Sequence, residues 1–155
     1  MSEKSEKAKE LFKSGCNCSQ AVLGVFAEEL GLDYETAMKI SSSFGGGMGR
    51  MREVCGTVSA MFMALGLALF DNNAKDNKAN QYKAVQELAN RFKAQNGSII
   101  CRELLSGITS SDTPIPSART EEYYKKRPCV ELVGDAVEIL EKYLKENAVS
   151  NKESV

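Results

Sequence analysis

The stretch from Val54 to Phe70 constrains this chain more than any other: 17 residues whose apolar side chains cover nearly every face of a would-be helix. Such a run belongs either in a bilayer or in the middle of a protein. Seventeen residues is the short limit for crossing a membrane, and this run also holds Thr57, Ser59 and two glycines between Glu53 and Asp71. A buried central helix follows, with no membrane span. The chain of 155 residues is long enough to cover that helix within one domain.

Helical periodicity supplies the cover. Glu3 to Lys13 has a thin stripe of Ala8, Leu11 and Phe12. Asn17 is a suitable N-cap for a helix from Cys18 to Leu30, and Gly31 closes it. Asp33 caps a third segment through about Ser43, expected to bury Tyr34, Ala37, Met38 and Ile40. A glycine-rich loop, Phe44 to Arg52, then leads into the central helix from about Glu53, which Asp71-Asn72-Asn73 breaks.

Lys75 to Gln95 is amphipathic through Tyr82, Val85, Leu88, Ala89 and Phe92, and Asn96-Gly97 stops it. Ser98 can cap a short turn holding Cys101, Leu104 and Leu105. Gly107 to Ala118, with Pro114 and Pro116, reads as a surface loop, and Glu121 to Lys126 as one helical turn. Pro128 suits the first position of a last helix, Cys129 to Lys145. No alternating run reads as a strand. The expectation is an all-α single-domain helical bundle over residues 1–146, with a frayed polar tail over 147–155.

Charge excludes some functions. Lysine plus arginine (20) nearly balance aspartate plus glutamate (21), so no basic excess calls for nucleic acid. The first residues alternate charges and contain no apolar core of a secretory signal, which gives a cytoplasmic, reducing location as the expectation. Apolar residues around Met61 and Met63 leave room for a homodimer.

The chain has five cysteines and no histidine. Imidazole bases, histidine haem ligands and zinc–histidine sites are therefore excluded. Cys18, Cys55, Cys101 and Cys129 each fall at or near the start of a predicted helix, where free N–H groups favour thiolate. A helix start offers ~0.3–1 kcal/mol to an anion, at most about 0.7 of a pKa unit. A thiol that starts near ~8.5 stays mostly protonated at neutral pH on that alone, so a cation must help. Arg50 and Arg52 precede Cys55, which makes Cys55 the expected reactive thiolate; Arg102 follows Cys101 and can serve another thiol. Glu53 is a candidate proton acceptor.

Any one cysteine can equally be a small core residue. Cys16-Asn17-Cys18 is the only close pair, and it is not Cys-x-x-Cys. Zinc-finger and ferredoxin spacings are absent. Gly45, Gly46 and Gly47, with Arg50, could present N–H groups and charge to an anionic cofactor. The phosphate-loop pattern is missing, and the glycines serve more simply for a sharp turn close to a thiol or a helix.

Asn17-Cys18-Ser19-Gln20-Ala21-Val22, Phe44-Gly45-Gly46-Gly47-Met48-Gly49, Cys55-Gly56, Cys101-Arg102-Glu103-Leu104-Leu105 and Cys129 together resemble the C_GCAxxG_C_C family of redox-active proteins. The likeness runs through nearly the whole chain. By resemblance, Cys18, Cys55, Cys101 and Cys129 are the family's four cysteines and Cys16 is an extra. The family's Cys-Gly-Ala-x-x-Gly reads Cys55-Gly56-Thr57-Val58-Ser59-Ala60, so Thr57 and Ala60 add bulk on the central helix. Iron–sulfur-containing cytochrome domains look similar here, although this chain has no Cys-x-x-Cys-His.

The leading expectation is thiol–disulfide chemistry by four convergent cysteines, the activity of a thiol–disulfide oxidoreductase. Cys55 would attack and Cys18 resolve, with Cys101 and Cys129 as a second pair or auxiliary thiols, and with a redox protein or small-molecule thiol as partner. The alternative is a module in which Cys18, Cys55, Cys101 and Cys129 hold zinc or an iron–sulfur cluster. A third is a helical interaction protein whose cysteines merely pack.

Overall fold

Four helix starts among the described residues carry a side chain that bonds the free N–H groups there: Ser2, Asn17, Asp33 and Thr120. Ser2 accepts from the Ser5 N–H and opens α1, Glu3–Lys13. Asn17 opens α2, Cys18–Phe26, through a reciprocal pair: Asn17 accepts from the Gln20 N–H, and the Gln20 side chain accepts from the Asn17 N–H. A 3₁₀ turn, Glu28–Leu30, ends at left-handed Gly31. Asp33 accepts from the Thr36 N–H at 2.9 Å and opens α3, Tyr34–Ser41.

The computed structural model describes residues 1–72 and 77–153, with side chains described through 148. The remaining helices are α4, Gly56–Leu69, α5, Lys78–Asn96, α6, Cys101–Leu104, α7, Glu121–Lys126, and α8, Cys129–Glu153. The fold is all-α. Among the described residues the only β pairing is an isolated antiparallel bridge between Val54 and Ile100.

The apolar run forms the central element. α4 packs against α2, α5 and α8, and α1 lies across α2 and α8. Val58, Ala60, Met61, Ala64 and Leu65 of α4 are fully buried with Val22, Leu23, Leu88, Phe92, Val133 and Leu140 around them. Fully burying side chains of this size stabilises by roughly 1.5–3 kcal/mol each. No helix among the described residues is long and apolar enough to cross a membrane.

Several expectations are corrected. α4 begins at Gly56 rather than Glu53, because residues 52–55 run beside residues 99–102 instead of coiling. Tyr34 and Ile40 are 39% and 48% exposed, since α3 lies on α2 alone and only its inner Ala37 and Ser41 are buried. On α5 the inward row is Ala84, Leu88 and Phe92, at spacing four, which leaves Tyr82 outside at 61% exposure. Met61 is fully buried rather than on an outer face, and Met63 is partly buried against the core. α8 continues past Lys145 and Asn147 to Glu153. Asn73 and Lys75, expected as helix break and helix start, lie outside the described residues.

Candidate functional site

Backbone hydrogen bonds between residues 52–55 and 99–102, around the Val54–Ile100 bridge, bring the first pair of cysteines together. The Cys55 N–H donates to Ile99 O at 2.8 Å, the Cys101 N–H to Glu53 O at 2.6 Å, and the Arg102 N–H to Arg52 O at 3.1 Å. This short ladder sets the starts of α4 and α6 side by side. Cys55 is the N-cap of α4, whereas Cys18, Cys101 and Cys129 are the first residues of α2, α6 and α8. All four cysteines therefore occupy helix starts, as their sequence setting implies.

Glycines allow the close approaches. A Cβ on Gly56 would stand 2.5 Å from Cys18 Sγ and 2.8 Å from Phe44 O, so α2 and α4 meet only because no side chain intervenes. A Cβ on Gly47 would stand 2.6 Å from the Cys101 Cβ. The glycine segment is a left-handed turn, with φ between 60° and 72° at Gly46, Gly47, Met48, Gly49 and Arg50. Arg52 is left-handed too, at 63°. For three non-glycine residues this geometry costs roughly 1–2 kcal/mol each. The turn is held by the Arg52 N–H to Gly46 O at 3.2 Å and the Glu53 N–H to Gly47 O at 3.0 Å. What it achieves is to bring Arg52 inside.

Cys18, Cys55, Cys101 and Cys129 line one cavity of about 60 Å³, together with Gly46, Gly47, Thr57, Tyr123 and the arginines 52, 119 and 127. Cys55 and Cys101 are buried; Cys18 and Cys129 keep part of their surface open. Cys18 and Cys129 each stand within electrostatic reach of the other three cysteines. Cys16 does not line the cavity.

The charges do not fall where the sequence places them. Burial pushes the Cys55 thiol far above its ordinary range, and the nearby Cys18 pushes it further; the Thr57 hydroxyl, 3.0 Å from Cys55 Sγ, opposes this only in part. Cys55 is thus not the low-pKa thiolate. Burial and then Cys18 push Cys129 up to about 12, against the opposing charges of Arg127 and Arg119. Burial raises Cys18 as well, against hydrogen bonding from the Gly46 backbone. The thiol with a cation at hand is Cys101: Arg52 Nη1 donates to its sulfur at 3.7 Å.

Arg52 is 3% exposed, and its Nη2 has no hydrogen-bond partner among the described residues. Its Nε donates to Ser111 O at 2.8 Å. The other expected helpers are engaged elsewhere. Arg102 pairs with Glu53 at 3.4 Å on the surface, so neither serves a thiol. Arg50 donates to Thr113 O at 2.8 Å and to Ser117 Oγ at 3.2 Å, tying down the proline loop. Arg119, Arg127 and Tyr123 escaped the sequence reading, and Thr57 entered it only as added bulk. Of the three that escaped, only Arg127, two residues before Cys129, had a sequence position that could have marked it.

Among the described residues no three cysteine, aspartate or glutamate side chains stand where they could share a metal ion. The arrangement of Cys18, Cys55, Cys101 and Cys129 does not fit a four-thiolate zinc or iron–sulfur site. It holds a guanidinium against one sulfur and a hydroxyl against another.

The family model described as "Putative redox-active protein (C_GCAxxG_C_C)" matches residues 16–143. No curated protein matches the chain, and no solved structure does.

Proposed function

The chain belongs to the C_GCAxxG_C_C family, and we propose that it carries out thiol–disulfide exchange through its four clustered cysteines. The observation that supports this most is that all four sulfur-bearing residues line one cavity, with Arg52 against Cys101. Three thiols shifted upward stay protonated at neutral pH, and the paired Cys101 is then the attacking group.

In this reading the Cys101 thiolate attacks one sulfur of a disulfide substrate. A mixed disulfide forms, and the substrate's other sulfur leaves as thiolate. Cys18, within electrostatic reach of Cys101, then gives its proton to that thiolate and attacks the Cys101 sulfur. The second substrate thiolate departs, leaving a Cys18–Cys101 disulfide. The substrate gains two electrons and the protein loses two. Cys55 and Cys129 act as a reserve pair that can pass the disulfide on. A reducing cytoplasm, with a redox protein or small thiol as partner, would return the pair to dithiol. Neither step needs a histidine.

Rate mapping of each thiol with an alkylating reagent at neutral pH tests the assignment. Cys101 is expected to react faster than a free thiol and Cys55 slowest. If Cys101 reacts no faster than a free cysteine peptide, the assignment fails.

A further inference from the structure

A second cavity, of about 280 Å³, adjoins the thiol chamber and shares Asn17, Gly46, Arg52, Arg119, Tyr123 and Arg127 with it. Arg50 also lines it. Four guanidiniums thus surround one space, and no carboxylate lines either cavity. None of the four is ion-paired among the described residues. They donate to neutral oxygens or lie over rings: Arg119 to Phe12 O and Cys16 O, Arg127 to Ser117 Oγ, and Arg127 over Tyr123 at 4.4 Å.

Gathering four positive charges around one space with no carboxylate in its lining is unfavourable. Arg50 is pushed below its ordinary value by burial and then by the charges of Arg52 and Arg127. Arg52 adds to the cost, because its buried Nη2 has no hydrogen-bond partner among the described residues, and a buried donor left unmade costs about 1–3 kcal/mol. Two or more negative charges on a ligand would offset the repulsion among the four.

We propose that this chamber is the receiving site for small dianions, and that the substrates of the cysteine cluster are anionic low-molecular-weight disulfides carrying two carboxylates. The class rests on the exchange reading above; the dianion site itself does not. The cavity of about 280 Å³ is open to solvent and suits a small molecule of about a dozen heavy atoms. The carboxylates face the arginines while the disulfide enters the thiol chamber. There the exchange proceeds as balanced above, releasing two anionic thiols.

The experiment compares three disulfides on the reduced full chain: dithiodipropionate, a dianion, bis(hydroxyethyl) disulfide, which is neutral, and cystamine, a dication. Rates are normalised to those with a free model thiol. The dianion should be favoured at least tenfold over the neutral compound, and the preference should shrink at about 1 M salt and in Arg127→Gln. Equal rates, or faster cystamine, would overturn the proposal. Calorimetry with suberate, a dianion without sulfur, reads the site independently of exchange, using the unaltered chain. Suberate should bind, and it should compete with dithiodipropionate; no binding overturns the proposal even if neutral disulfides react. Suberate binding with no disulfide reacting would instead overturn the exchange reading and leave the dianion site standing.

Discussion

Arg52 holds Nη1 3.7 Å from Cys101 Sγ inside the protein, while its Nη2 meets no acceptor. A guanidinium cannot shed its proton, so the remedy available within the chain is a negative charge on that sulfur. The pair ties the strained left-handed backbone at Arg52 to the chemistry of a cysteine 49 residues away. In the exchange reading Cys101 works as the thiolate, and oxidising it to a disulfide takes that charge away from Arg52.

Replacing Arg52 by glutamine is therefore expected to favour the disulfide form. A hydrogen bond to a charged group contributes about 1.5–3 kcal/mol. At roughly 30 mV per 1.4 kcal/mol the cluster's potential should fall by about 30–65 mV. Redox titration in glutathione buffers reads it. The same variant should slow Cys101 alkylation about tenfold or more, with circular dichroism checking that the helices remain.

Gly56→Ala tests the packing that lets Cys18 reach the cluster. The new methyl would meet Cys18 Sγ at 2.5 Å and the Phe44 carbonyl at 2.8 Å, one of them backbone that cannot yield cheaply. Overpacking of this kind costs typically about 1–3 kcal/mol. Urea denaturation of the reduced protein should show a loss in that range. Gly107→Ala isolates the other cost: Gly107 has a positive φ of 81°, which Gly56 lacks, and nothing within 4 Å, so its loss should be backbone strain alone.

Alkaline pH should destabilise the reduced protein. Cys129 has a folded value of about 12 against an ordinary 9.0, and Cys18 and Cys55 shift in the same direction. Above pH 9 the unfolded chain loses these protons while the fold retains them, so stability falls as pH rises through the window from about 9 to 12. Below pH 9 the contribution is fully present. Urea midpoints measured from pH 8 to 11 should decline, and Cys129→Ser should flatten the slope by as much as one proton, about 1.4 kcal/mol per pH unit.

Thr57, which departs from the family's pattern, bonds the Cys55 sulfur instead of crowding it. Thr57→Ala should therefore raise the Cys55 thiol further and slow its already slow alkylation by a few-fold. Thr57→Val, which keeps the bulk, should do the same; a difference between the two would assign the effect to packing instead.

Much of the fold was legible because it rests on local rules. Asn17 and Asp33 cap where their positions imply, Glu3–Lys13 and Glu121–Lys126 match to the residue, and the apolar run from Val54 could only be central. The four cysteines at helix starts were legible for the same reason. Their electrostatics were not, because proximity in sequence places Arg50 and Arg52 beside Cys55 whereas the left-handed turn aims Arg52 at Cys101. Arg119 comes from a loop and Arg127 from beyond it, so their arrival at the chamber is tertiary and leaves no periodic trace. Tyr82 and Met61 failed for a simpler reason: helical spacing finds an apolar stripe, but neighbours decide which edge of it is covered.

The most direct test of the account is non-reducing peptide mapping of the full chain after limited oxidation with a small disulfide. Intrachain bonds confined to Cys18, Cys55, Cys101 and Cys129, with Cys18–Cys101 forming first and Cys16 left out, are the predicted result. Oxidation only at Cys16, or four cysteines that stay reduced while a free dithiol is consumed, would contradict it.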